Sequence, residues 1–368
     1  MAKDKSLIDP SYHDDVLAMR EERRRSVVRT VLVLAAVISL PLLMSLILRE
    51  DAKFSLNIIA LICLWGAMAG AWNILGGYAG KFSLGNAAFF GAGAYSSSIL
   101  FVKAGVSPWV GMVVGVGISM CLALFLGIIT LRLKGKFFAL CTIAFLALME
   151  IAAVHARKLT GGAEGLLIPW RPGVQNMIFE NELTWVYIFM GLMLFVYFLS
   201  RRLECSPIGY RWTALRENED AAEALGINTL NAKLSSFVIS AALTSVGGTL
   251  YAQYNMFIEP MYVFGHELSI QFALYAIIGG MGTAIGPIMG AAVITPLEIT
   301  LRSSFPDLAS GASLTVYALI LILVVLFIPR GIVVEFRDRC KKAFAKLGAS
   351  KSRASKAGGA CSCLRQNS

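Results

Sequence analysis

Apolar runs of about 17–25 residues recur along this chain with short polar joints between them, and that spacing restricts the fold more than any other feature. A run of this length crosses the hydrocarbon core of a bilayer as a helix, because in lipid every backbone amide must be satisfied within its own segment. The clearest runs lie at 54–75, 108–131, 137–155, 184–200 and 233–254, with further ones at 30–48 and 312–329. Pro41 falls inside the first of these, where a kink is tolerated if neighbouring helices satisfy the freed carbonyl. Only 15% of the residues are charged and 57% are hydrophobic, whereas a soluble domain carries about 25% charged residues. The expected fold class is an all-α polytopic membrane protein.

Three further segments are shorter or interrupted by glycine: 76–102, 268–280 and 284–301. Counting them gives about ten spans, with the third read as irregular. Within 108–131, Gly111, Gly115 and Gly117 suggest a face for close helix packing.

The charges are distributed to orient the chain. The formal net charge is +10, and the basic residues cluster in joints and tails beside the apolar runs, which fits the positive-inside rule better than nucleic-acid binding. With an even number of spans, the arm at 1–29, the RLKGK joint at 132–136, the joint at 201–232 and the tail at 333–368 all share one side. That side is expected to be cytoplasmic. Arg157, Lys158 and Arg171, on the opposite side, are an exception. The membrane domain is then 30–332, and the tail, rich in Ser, Gly, Ala and Lys, is expected to be disordered. The seven cysteines form no zinc or disulfide pattern, and Cys361 and Cys363 lack a second pair.

Five spans per half would make the second half run opposite to the first. The glycine-interrupted stretches 82–97 and 279–292 then take corresponding places in two inverted halves, the usual position of a translocation pathway. Candidate pathway residues are Asn73, Ser83, Gly85, Asn86, Gly279, Gly280 and Gly282. Asn73, Asn86 and Gln253 can equally hydrogen-bond between helices.

Catalytic and metal-binding patterns are lacking in the sequence. The three histidines, His13, His155 and His266, are far apart, and Gly80-Lys81 continues into Phe82 rather than the Ser or Thr of a phosphate loop. Any ATP is therefore expected on another protein. Glu150 and Glu298 are the notable ionisable groups in apolar runs; Glu150 reads as interfacial, and Glu298 has no basic partner in its own span.

The long polar joint contains GYRWTALRENEDAAEALGIN at 209–228. Asn218, Glu219 and Asp220 suit a helix start, Ala221, Ala222 and Ala224 form a thin helix, and Gly226 suits its end. Spacing alone leaves two readings, a handle for a partner protein or an ordinary surface helix.

The stretch AAEALG at 221–226 resembles the coupling loop of permease subunits in bacterial ABC importers. With GYAGKFSLGNAAFFGAGAY at 77–95, LRLKGKFFAL at 131–140, TGGAEGL at 160–166 and GGMGTAIGPIMGA at 279–291, it is similar, in the same order, to the LivM type of branched-chain amino acid permease. The resemblance covers 54–332. It implies a non-catalytic inner-membrane permease with no cofactor of its own. The partners it implies are a LivH-type permease, two ABC ATPases that bind the ATP, and a periplasmic binding protein. By the same resemblance, Arg216, Glu217, Asp220, Ala221, Ala222, Glu223 and Gly226 would couple to the ATPases. Urea and amide importers use similar permeases, and a secondary carrier is the remaining alternative.

Overall fold

The structure, a computed structural model, describes residues 52–133, 137–304 and 331–335, with Pro41, Leu319 and Leu326 as single helical positions. The expected arm, the spans at 30–48 and 312–329, most of the basic joint at 132–136 and the tail beyond Glu335 lie outside the described residues. By internal contact the chain divides into residues 1–59 and 60–368. The first unit contributes Pro41 and the opening turns of helix α1, Ala52–Asn73; the contacts that follow lie within the second.

The described residues are almost wholly helical. Helix α1 runs into a π-helical turn, Ile74–Tyr78. Next come α2, Asn86–Ala104; α3, Pro108–Thr130; α4, Phe137–His155; and the one-turn α5, Arg157–Thr160. After α6, Glu182–Glu204, the long polar joint forms α7, Pro207–Glu217, and α8, Glu219–Ala224. The chain returns through α9, Thr229–Asn255, the short α10, Pro260–Val263, then α11, His266–Gly280, and α12, Gly286–Ser304. Among the described residues six helical stretches are long and apolar enough to cross a membrane: Lys53–Tyr78, Pro108–Thr130, Phe137–His155, Glu182–Glu204, Thr229–Asn255 and Pro260–Gly280. This is an all-α, multi-pass membrane protein.

Lipid removes the hydrophobic drive between apolar helices, so small residues and interhelical hydrogen bonds must hold them together. Helices α2, α3 and α9 form such a group. A Cβ added at Gly93 would lie 2.1 Å from the Ser245 carbonyl oxygen, and one at Gly248 would lie 2.0 Å from that of Phe90. The Thr249 hydroxyl donates to Gly93 O at 3.0 Å, and Asn86 Nδ2 donates to Ser240 Oγ at 3.0 Å. Phe89, Phe138 and Phe237 fill one side of this group together with Leu75 and Leu126. Trp65, Phe90, Tyr251 and Phe272 cluster on another.

Three expectations change. The third segment is regular helix from Asn86 onward, and its irregularity is confined to residues 74–85. Gly91 and Gly93 do not break α2, because tight packing against Phe264 and Ser245 outweighs their poor helix propensity. On α3, Gly111 and Gly115 do meet Ser97 and Ser96 of α2, but Gly117 faces open space. Two residues beyond Gly115 lies the opposite side of a helix. At the other extreme of the chain, Ile332–Glu335 are helical, so helix reaches into the first residues of the expected disordered tail.

The joints gather at two ends. At one, strand β1, Leu166–Leu167, pairs antiparallel with β2, Phe257–Ile258, and Trp109 Nε1 donates to Val174 O at 2.9 Å. At the other, the break after α1, the α7–α8 pair and the turn between α11 and α12 come together.

Candidate coupling site

The α7–α8 pair is built by local sequence. Ser206 caps α7 through its side chain to Gly209 N, with Pro207 at the first helical position where its missing N–H costs nothing. Asn218 ends α7 and caps α8, its Oδ1 accepting from Ala221 N at 3.1 Å. At the end of α8, Gly226 N donates to Glu223 O and Ile227 N to Ala222 O, the paired bonds of a Schellman motif. Gly226 has φ of 82°, a conformation in which an L side chain is strained. Asn228 then caps α9. The wholly buried Trp212 fastens α7 to α9 by donating to Ala232 O at 2.8 Å. The expected thin helix is present, and residues 207–217 form a second, longer helix before it.

Two breaks in the membrane helices lie beneath this pair. Asn73 clamps them together: its Oδ1 accepts from Gly282 N at 2.9 Å and its Nδ2 donates to Thr283 O at 3.0 Å. Gly77 and Gly279 allow the approach, since a Cβ at Gly77 would lie 2.6 Å from Gly282 N and one at Gly279 would lie 1.8 Å from Gly286 O. Gly280 and Gly282 have φ of 128° and 77°.

Arg216 enters this joint from the last turn of α7. Its Nη1 donates to Gly77 O at 3.0 Å, at the C-terminal, electronegative end of the α1 helical run. Its side chain passes Gly80 and Gly282 so closely that an added Cβ at either would lie 2.7 Å from it. Nη2 also meets Glu217 Oε1 at 3.2 Å.

Glu219 makes the second attachment. Its Oε2 accepts from Lys81 Nζ at 2.8 Å, and its Oε1 accepts from Lys233. Lys233 is only 3% exposed and also donates to Leu131 O at 3.4 Å. Burial alone would push the Glu219 carboxyl up, but hydrogen bonds and charge from Lys233 and Lys81 prevail and hold it below the ordinary carboxylate value. The α7–α8 pair is thus fixed by a cation reaching a broken helix end and by an anion shared between two lysines.

The expected coupling residues divide between two surfaces. Ala222 is buried, and Arg216, although exposed, directs its guanidinium toward the joint; Glu217, Asp220, Ala221, Glu223 and Gly226 are exposed. Leu225, 82% exposed, and Tyr210, 68% exposed, extend that outer face. Of the expected pathway residues, Asn73, Gly279, Gly280 and Gly282 make up the joint. Ser83 is buried beside it, its Oγ accepting from Gly85 N at 3.3 Å, and Gly85 packs against Thr142. Asn86 lies at the start of α2, with its Oδ1 unbonded among the described residues, as are both amide atoms of the buried Gln253. Glu298 accepts from Gln271 Nε2 at 3.0 Å and Tyr275 OH at 3.2 Å, and Glu150 lies 3.8 Å from His266 Nδ1. Sequence reasoning missed Lys81 and Lys233, and took Glu219 only for a cap. The available signal was a lysine at the mouth of an apolar run, which demands a partner.

The family described as branched-chain amino acid transport system / permease component matches residues 54–328. The chain is 26% identical over 313 residues to the high-affinity branched-chain amino acid transport system permease protein LivM of Salmonella typhimurium, covering 79% of this chain and 72% of that protein. LivM of Escherichia coli K12 is 25% identical over 323 residues, covering 82% and 74%. LivH of Salmonella typhimurium is 29% identical over 199 residues, covering 50% and 60%. No solved structure matches the chain. Apolar spanning helices, a paired break beneath a polar helical pair, and a match along most of the chain agree, and the chain belongs to the permease components of branched-chain amino acid transport systems.

Proposed function

We propose that this chain is the LivM-type half of a heteromeric permease that carries branched-chain or related amino acids across the inner membrane. A LivH-type subunit completes the permease. Two ATPases hold the ATP and act on the α7–α8 pair from the cytoplasm, and a periplasmic protein delivers the substrate. Membership of the permease family and likeness to LivM and LivH support this reading.

The observation that carries the mechanism is the double attachment of α7–α8 to the break after α1, through Arg216 to Gly77 O and through Glu219 to Lys81, with Asn73 clamping that break to the α11–α12 turn. A force on the outer face, at Tyr210, Glu217, Glu223 and Leu225, reaches the breaks without an intervening loop. The small alanines of α8 allow a partner's groove to close around it. When the ATPases close, the pair moves and the joint held by Asn73 shifts with it, switching the pathway near Asn86 and the Gly279–Gly282 turn between its two openings.

In the same reading the spans outside the described residues complete two inverted halves of five, with both termini and the 201–232 joint cytoplasmic. The decisive experiment reconstitutes the complex with its binding protein and measures ATP hydrolysis and uptake of radiolabelled leucine, with urea as competitor. Gly226→Leu should abolish both substrate-stimulated hydrolysis and uptake while membrane insertion persists. Full uptake by that variant would refute the coupling role, and uptake of urea in place of leucine would refute the substrate.

A further inference from the structure

Two of the basic residues that break the expected charge pattern, Arg157 and Lys158, together with Lys103 and an apolar groove, indicate a second ligand. A groove of about 440 Å³ is lined jointly by the apolar helices α2, α3 and α4. Its lining includes Ile99 and Leu100 of α2, Val114 and Ile118 of α3, and Ala152 of α4.

The polar atoms near its surface are already committed. Ser96 Oγ donates to Ala92 O at 2.6 Å, Thr160 Oγ1 to Ala153 O at 2.6 Å, and Tyr95 OH to Ile258 O at 3.3 Å. Tyr95 is further fixed by stacking on Phe264, with ring centroids 5.8 Å apart. Such a groove offers nothing to an amino acid zwitterion and suits hydrocarbon. Unfilled, its walls would forfeit their dispersion contacts.

Cations gather at one end. Thr160 and Ala156 line the groove there, and Arg157 and Lys158 lie between them in sequence. Lys103 follows Leu100 by three residues, on the same face of α2, and its Nζ donates to Lys158 O. All three basic residues are exposed, and among the described residues none is ion-paired to a carboxylate.

We propose that the groove binds one acyl chain of an anionic bilayer phospholipid, with the lipid phosphate held by Lys103, Arg157 and Lys158. The excess of positive charge on the face where spans normally carry little then has a partner, which the orientation rule alone does not provide. The proposal requires only that the chain spans a bilayer, so it stands or falls separately from the transport reading.

The test is native mass spectrometry of the full chain released from membranes and incubated with palmitoyl-oleoyl phosphatidylglycerol or the matching phosphatidylcholine. Each basic side chain near the lipid surface favours the anionic headgroup by about fivefold. The wild-type chain should therefore retain phosphatidylglycerol well over tenfold more tightly than phosphatidylcholine. The triple change K103Q/R157Q/K158Q should remove the preference while leaving the weaker binding common to both lipids. Ala152→Trp, at an exposed wall position, should displace both lipids. Equal retention of the two lipids by the wild-type chain overturns the proposal without recourse to any variant. So does undiminished phosphatidylglycerol binding in either variant, or a cross-link from a cysteine at position 152 to another polypeptide in native membranes.

Discussion

The Arg216 guanidinium donates to the Gly77 carbonyl across 3.0 Å, although the two residues are 139 positions apart in the chain. This bond ties the last turn of α7 to the end of the α1 helical run. Arg216 reaches Gly77 O with one nitrogen and Glu217 with another, a fork geometry that lysine cannot reproduce. Arg216→Lys should therefore behave like Arg216→Gln. A hydrogen bond to a charged group contributes about 1.5–3 kcal/mol, so leucine uptake per ATP hydrolysed should fall at least about tenfold in both. Equal coupling in wild type and the lysine variant, measured in proteoliposomes, would show that charge alone suffices.

Replacing Glu219 by Gln leaves the buried Lys233 ammonium, among the described residues, with neutral acceptors only, the Leu131 carbonyl and the amide oxygen. Breaking a buried ion pair from one side costs about 3–5 kcal/mol. Glu219→Gln should lower the unfolding midpoint in detergent, and adding Lys233→Met should restore much of the loss. If the double variant were as unstable as the single one, the damage would lie elsewhere than in the stranded ammonium.

The same carboxylate sets a pH response. Its folded value is depressed, the lysine contacts outweighing burial. Its stabilisation is thus complete above the unfolded glutamate value of about 4.3 and is lost as pH falls through the lower folded value. Thermal melts of wild type and Glu219→Gln should differ most at neutral pH and converge below about pH 4. A gap that stayed constant down to acid pH would dissociate Glu219 from this titration.

Asn73 shows why part of the site was hidden from the sequence. Its side chain satisfies one N–H and one carbonyl of a turn more than 200 residues away, and a pairing of that range leaves no periodic trace. The caps at Asn218 and Asn228 and the stop at Gly226 were legible because they depend on neighbours within a few residues. Helices α1, α3, α4, α6 and α9 were legible from apolar length. Glycine was ambiguous. Gly93 lies inside a straight helix and Gly282 in a turn with positive φ, and only the partners packed against each separate them. Asn73→Leu should strand the Gly282 N–H and the Thr283 carbonyl, a loss of about 1–3 kcal/mol for each group left buried. The melting temperature of that variant is the measurement, and an unchanged value would mean water takes over both bonds.

Gly282 lies where the Arg216 attachment meets the Asn73 clamp. Its φ of 77° is strained for any L side chain, and an added Cβ would lie 2.7 Å from Arg216 Nη1 and 3.2 Å from Gly77 O. Gly282→Ala should cost about 1–2 kcal/mol in backbone strain and also push the guanidinium off the Gly77 carbonyl. The two effects are separable in a double-mutant cycle. In stability, Gly282→Ala retains its backbone cost whether or not Arg216 is present. In coupling, Gly282→Ala combined with Arg216→Gln should be no worse than Arg216→Gln alone, because the arginine contact that the methyl group disrupts is already gone. Additive losses in uptake per ATP would mean that the turn acts on the pathway by a route that bypasses Arg216.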